Sequence, residues 1–198
     1  IAGMLYGKVL RSPYAHARII SVDTSKAERL TGVRAVVTGK DAPEIRYGGY
    51  IRDQHILCKN VVRHVGDAVA AVAAETLDVA EKAIELIEVK YEEMPGIFDV
   101  EQAWAANPPV IVHPGLPDYK KAVAQGLFIR LESDRPNVAH HHQVRHGDVE
   151  KGFQEADVIV ENRFTTTRIQ HVPLEPHICI VQPESDGGLT IWAGRQGI

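Results

Sequence analysis

Ten histidines stand among 198 residues, and the densest group is His140, His141, His142 and His146, followed by His171 and His177. Imidazole is a common metal ligand, and a tetrahedral zinc site needs four such groups converging on one point. Consecutive histidines on a strand point to opposite faces, and the chain holds neither an HExxH pair nor a cysteine-rich partner spacing. No intrinsic zinc site is therefore expected. Ser12, His16 and Asp23 supply the residue types of a hydrolase triad, but no nucleophile elbow accompanies them. Cys58 and Cys179 fit no CxxC or CxxxxC ligand spacing. They indicate neither an iron-sulfur cluster in this chain nor a disulfide framework, and they fit a reducing cytoplasm.

Any such residues must be held by elements, and the hydrophobic pattern gives a set of them. Met4 to Leu10, Arg18 to Val22 and Val33 to Thr38 read as strands. Ser25-Lys-Ala-Glu28 matches a capping box, with Gly32 free to take the left-handed conformation that ends a short helix. Val69 to Ala73 is a near-continuous apolar run, as in a strand covered on both faces. Thr76 caps a helix whose Leu77, Ala80, Ile84 and Ile87 form one apolar stripe. After it Ile87, Val89 and Tyr91 alternate with charged residues, so a strand follows. Arg11-Ser-Pro13 marks a strand end, because Pro13 biases Ser12 away from helix, and Gly66-Asp67 reads as a turn feeding the buried strand. The stretch from Trp104 to Pro136, with Pro108-Pro109 and His113-Pro-Gly-Leu-Pro117, disfavours regular elements and reads as a connector. Beyond it Asp148 caps a short helix bearing Val149, Phe153 and Ala156, and Val158 to Thr167 is strand-like. Ile178 to Val181 and Leu189 to Ala193 form a hairpin across Asp186-Gly-Gly188.

Composition limits the functions available. A formal charge of -4 and no Lys/Arg-rich block give no footprint for nucleic acid. The longest apolar run is much shorter than the ~20 residues that span a bilayer, and the N-terminus lacks a signal-peptide pattern, so no membrane span is expected. The chain opens on Ile1 rather than Met and ends at Gln196-Gly-Ile198 without a closing element; both ends read as cuts.

Six ordered segments carry a family resemblance. Gly7-Lys-Val-Leu-Arg-Ser-Pro-Tyr-Ala-His-Ala-Arg-Ile19 resembles the opening of the α/β hammerhead domain of molybdenum hydroxylase large subunits, of the xanthine dehydrogenase and aldehyde oxidase type. The order continues with Gly32-Val-Arg-Ala-Val-Val-Thr-Gly-Lys-Asp41, Val62-Arg-His-Val-Gly-Asp-Ala-Val-Ala-Ala-Val72 and Val89-Lys-Tyr-Glu-Glu-Met-Pro95. Gly147-Asp-Val-Glu-Lys-Gly-Phe-Gln-Glu-Ala-Asp157 and His171-Val-Pro-Leu-Glu-Pro-His177 then resemble the start of the molybdopterin-binding domain.

The resemblance implies an α+β fold: a hammerhead domain of mixed strands and two short-to-medium helices over 1–103, a Pro-rich connector over 104–136, and a partial molybdopterin-binding domain over 137–198. It implies an oxidoreductase that hydroxylates aldehydes or N-heteroaromatic carbons with oxygen from water. The cofactor is molybdenum-molybdopterin, the cytosine dinucleotide form included among the options, while iron-sulfur clusters and FAD sit on partner domains or subunits. None of these is expected in this chain alone, which is expected to be inactive. The partners implied are an iron-sulfur subunit or domain, an FAD subunit or domain and the remainder of the molybdopterin-binding domain, all cytoplasmic. Glu175 resembles a supporting residue, since the family's base is a glutamate nearer the C-terminus, beyond this chain. Gln196 is the one cofactor-binding candidate: in the family a glutamine at a strand end, usually within Ser-Thr-Gln, contacts the molybdenum centre, and here Gly194-Arg195 precede it. The competing class is a non-catalytic scaffold that shapes the substrate channel and docks the iron-sulfur and flavin partners.

Overall fold

The computed structural model describes residues 2–48, 52–116, 135–138 and 144–194, and the chain divides into two compact units at Val144/Arg145. In the first unit two three-stranded antiparallel sheets share one set of helices. One has the order β1 (Tyr6–Arg11), β7 (Ala68–Ala74), β3 (Val33–Thr38); the other has the order β6 (Val61–Val62), β2 (Ala17–Asp23), β8 (Glu88–Glu93). A two-stranded ribbon, β4 (Arg46–Tyr47) with β5 (Gln54–His55), completes the strands.

Strand β7 is the middle of its sheet, paired to β1 and β3, and this explains its unbroken run of Ala and Val. Ala70, Val72 and Ala74 meet Ala80 and Ala83 of α2 (Leu77–Glu85) with Ala27 and Ile87 in one core. Alanine on both sides removes the side chains that would otherwise hold helix and sheet apart, so packing here is close and sensitive to added volume. A second core joins Ala17, Ile19, Cys58, Val62 and Val69, flanked by Tyr14 and Tyr91.

The caps show where local chemistry decides. Thr76 accepts from the backbone N–H of Val79 at 3.3 Å, as its position before α2 requires. The expected capping box at Ser25 is not formed: Asp23 Oδ1 takes the Ser25 N–H at 2.9 Å and Thr24 is the N-cap of α1 (Ser25–Glu28). The Ser25 N–H that Glu28 would accept in a capping box is taken by Asp23, two residues upstream, while the Glu28 carboxylate accepts from Thr24 Oγ1. Gly32 does adopt φ +93° between α1 and β3. The stripe of α2 is rotated from the expected one, because Ala83 is buried while Leu77, at the first turn, is 43% exposed.

The described part of the expected connector is irregular after a short helix, α3 (Val100–Trp104), which is capped by Asp99. It is nevertheless fastened to the first unit. Arg63 Nε donates to Val112 O at 2.9 Å. Asn137 accepts from Val112 N at 3.0 Å and donates to Val110 O at 2.7 Å. Arg135 donates to Trp104 O and lies 4.5 Å from that indole's ring centroid. Leu116 and Val138 are buried.

The second unit has helix α4 (Val149–Glu155), whose N-cap Asp148 accepts from Lys151 N at 3.0 Å, and a hairpin of β9 (Cys179–Pro183) and β10 (Leu189–Ala193). The turn uses Gly187 at φ +87° and a bond from Gly188 N to Asp186 Oδ1. The expected strand from Val158 to Thr167 is irregular, since no neighbouring strand among the described residues pairs its backbone.

Candidate functional site

The end of β10 is where the family resemblance puts its expected cofactor contact, and the hairpin's geometry explains what that end presents. Cross-strand pairs Cys179 with Ala193, Val181 with Ile191 and Pro183 with Leu189 fall on one face, which is apolar throughout. On the other face Ile180 opposes Trp192. Beside this end lies an open cleft of about 600 Å³, lined by Glu175, Pro176, Ile178, Ile180, Trp192 and Gly194 among others. At Gly194 a Cβ would fall 2.6 Å from the Glu175 carboxylate, the end of an exposed side chain that would have to turn aside. The carboxylate therefore lies against bare backbone at the point where the chain leaves the strand. Gln196 itself, and His140, His141 and His142, lie outside the described residues.

The remaining candidates do not converge. Ser12 Oγ accepts from Tyr14 N at 3.0 Å, His16 Nδ1 is 2.6 Å from Pro95 O, and Asp23 is held by the Ser25 N–H. Each is a structural tie, so the three do not act as a triad. His146, His171 and His177 are exposed, and among the described residues no group of three or more His, Cys, Asp or Glu is placed to hold a metal. Cys58 is buried in the second core and Cys179 is exposed, both as free thiols. No helix among the described residues is long and apolar enough to cross a membrane.

Sequence reasoning missed a polar cleft in the first unit. Arg11, Asp53, His55, Arg63, Asp67 and His113 line a cavity of about 250 Å³ together with Tyr47, Cys58 and others. Its walls come from β1, the β4–β5 ribbon, the turn before β7 and the connector, so no local spacing betrays it. The nearest signal was the Gly66-Asp67 turn. Asp67 Oδ2 accepts the backbone N–H groups of Arg63 at 2.6 Å and His64 at 3.3 Å, and Ser12 N donates to Asp67 O at 2.8 Å. That lattice fixes Arg63 and Arg11 at the rim.

Comparison with known proteins agrees with this architecture. The aldehyde oxidase and xanthine dehydrogenase a/b hammerhead domain matches residues 1–95, and the molybdopterin cofactor-binding domain matches residues 131–198. The chain is 46% identical over 195 residues to a probable xanthine dehydrogenase subunit of Bacillus subtilis, covering 98% of this chain and 23% of that protein. It is 35% identical over 200 residues to the nicotinate dehydrogenase large molybdopterin subunit of Eubacterium barkeri, covering 98% of this chain and 41% of that one. Among solved structures, the aldehyde oxidoreductase from Desulfovibrio gigas superposes with a TM-score of 0.78 at 29% identity, over 98% of this chain and 20% of that one. Reconstituted CO dehydrogenase from Oligotropha carboxidovorans does so with a TM-score of 0.77 at 31% identity, over 98% of this chain and 24% of that one. The chain thus spans less than half the length of each of these relatives. With two domain matches in family order and the hammerhead fold on which the first depends, the chain belongs to the molybdenum hydroxylase family, of which it carries the hammerhead domain and the start of the molybdopterin-binding domain.

Proposed function

We propose that this chain is part of the molybdenum-binding subunit of a hydroxylase that oxidises aldehydes or N-heteroaromatic substrates with oxygen taken from water. The observation that supports this most is the ordered pair of domain matches across residues 1–95 and 131–198. The relatives' names add support for a multisubunit setting, since both the Bacillus subtilis and the Eubacterium barkeri proteins are named as subunits. On this reading the partners are an iron-sulfur subunit or domain, an FAD subunit or domain and the rest of the molybdopterin-binding domain, in the cytoplasm.

When bound, the molybdenum cofactor supplies the two-electron chemistry, and the protein supplies orientation. Among the described residues no group of three or more His, Cys, Asp or Glu is placed to hold a metal, so no ligand to it is proposed from them. Their proposed part is positional. The β9–β10 hairpin offers an apolar face to further layers of the cofactor-binding domain and carries Gln196 just beyond its end. A neutral amide there both donates and accepts, so it can orient an oxygen at the centre without adding charge. Loops at the end of a rigid sheet commonly present such groups.

The test is anaerobic mixing of the complete purified enzyme with aldehydes and with N-heteroaromatic compounds. Substrate-dependent bleaching of iron-sulfur and flavin absorbance, scaling with molybdenum content, is the expected result. Full molybdenum and flavin content with no bleaching by either substrate class would contradict the proposal.

A further inference from the structure

The cleft of the first unit has a surplus of hydrogen-bond donors. Of its two carboxylates, Asp67 is engaged by Arg63 N, His64 N and, at 3.1 Å, His64 Nδ1, while Asp53 Oδ2 lies 3.5 Å from His113 Nε2. The guanidiniums are less committed. Among the described residues Arg63 uses its Nε on Val112 O, Arg11 uses one Nη on Gly66 O, and the half-buried His55 ring makes no hydrogen bond. A guanidinium carries five N–H donors and no acceptor, so several donors from two arginines face the same small space. Arg11 is exposed and Arg63 half-buried, so water meets their remaining donors, and a charged acceptor that replaces this water by direct bonds gains most. A cavity of about 250 Å³ suits a molecule somewhat smaller than the usual drug-sized ligand.

We propose that this cleft, lined by Arg11, Arg63, His55 and His113, binds the oxyanion group of a small phosphate, sulfate or carboxylate compound.

Electrostatics of the cleft point the same way. Burial first, then the guanidinium of Arg46, holds His55 below the ordinary imidazole range; Arg63 adds to this, and Glu44 and Asp67 oppose it. For His113 burial again leads, with Arg63 and Arg46 lowering and Asp53 and Asp67 raising. Both rings therefore resist a proton, and nearby arginines contribute to that resistance. The Cys58 thiol is pushed up to about 11 by burial, so it adds no negative charge to repel an anion. A bound oxyanion reverses the local balance and favours protonation of both rings, so binding and proton uptake are linked.

Sulfate is the suitable probe, because it stays dianionic across the histidine range. The ring resonances of His55 and His113 are followed in the 198-residue chain as sulfate replaces chloride at constant ionic strength. Saturable shifts of both rings are expected, at least about tenfold tighter near pH 6 than near pH 8, as proton uptake by the two rings allows. Arg11→Gln and Arg63→Gln should each weaken binding about tenfold or more. Arg11→Gln carries the test if loss of the Arg63 bond to Val112 disturbs the fold. An acetate arm separates planar from tetrahedral recognition: whichever anion binds more tightly names the class. Identical shifts in chloride and sulfate, or sulfate affinity unchanged in Arg11→Gln, would overturn the proposal.

Discussion

Single residues decide three features of this molecule. Asn137 plays the part of a missing strand neighbour: its side-chain amide satisfies the N–H of Val112 and the C=O of Val110 at once. Asn137→Ala strands both groups, and the expected cost is about 1–3 kcal/mol in chemical denaturation of the first unit. An unchanged midpoint would show that the connector is not fastened by this residue. Gly39 is constrained by sterics instead, since a Cβ there would sit 2.6 Å from Cys58 O and 2.7 Å from Lys59 Cα. Those are backbone atoms, which cannot swing aside. Gly39→Ala should therefore destabilise by roughly 1–3 kcal/mol or more, as overpacking does, and the same denaturation measurement checks it. Gln196 belongs to the proposed cofactor site. Removing one preorganised donor from a centre of developing charge typically costs ~3 kcal/mol in the barrier, so Gln196→Ala in the complete enzyme should slow reduction by substrate roughly a hundredfold. Wild-type reduction rates at normal molybdenum content would make Gln196 a surface amide.

At the scale of elements, legibility followed the range of the forces involved. β3 is found at Val33–Thr38 as its pattern indicates, and α2 and α4 begin where Thr76 and Asp148 stand, because caps and periodicity act over a few residues. The competition of Asp23 with Glu28 for the Ser25 N–H was close enough in sequence to see, but the capping-box spacing alone does not decide between two carboxylates. Val158 to Thr167 shows the opposite limit: its β-branched residues favour a strand, and Val158, Ile159 and Val160 are exposed with no neighbour among the described residues to pair them. The docking of the connector, through Arg63 and His113, depends on contacts tens of residues apart and left no periodic trace. That docking should be sensitive to acid. His55 and His113 sit below their ordinary value when folded, so on acidification the unfolded chain binds protons first and stability is lost as pH falls below the ordinary imidazole value. Denaturation midpoints should be lower at about pH 5.5 than at about pH 7.5, and His113→Gln should reduce the difference. Equal midpoints would show that these rings do not report on the docked state.

At the scale of the molecule, the two units differ in how far they can stand alone. The first has two cores that share Val22 and Val89, whereas the second exposes Phe164 by 86%, Ile169 by 84% and the apolar face of a lone hairpin. A two-stranded ribbon is marginal in water without a further layer. Amide exchange in the isolated chain should accordingly be slow in β7 and α2 and fast throughout β9 and β10; slow exchange in the hairpin would refute this. The family was legible because ordered segments persist along both units, while the polar cleft was not, because its residues come from four separate elements. The same division bears on activity: the isolated chain is expected to show no visible iron-sulfur or flavin band and no substrate oxidation, which an absorption spectrum and metal analysis check.

The central proposal, a hydroxylase that draws its oxygen from water, is tested most directly by a single turnover of the complete enzyme in isotopically labelled water under unlabelled dioxygen. The heavy oxygen should enter the product of an aldehyde or an N-heteroaromatic substrate. Product labelled only when the dioxygen carries the isotope would contradict it.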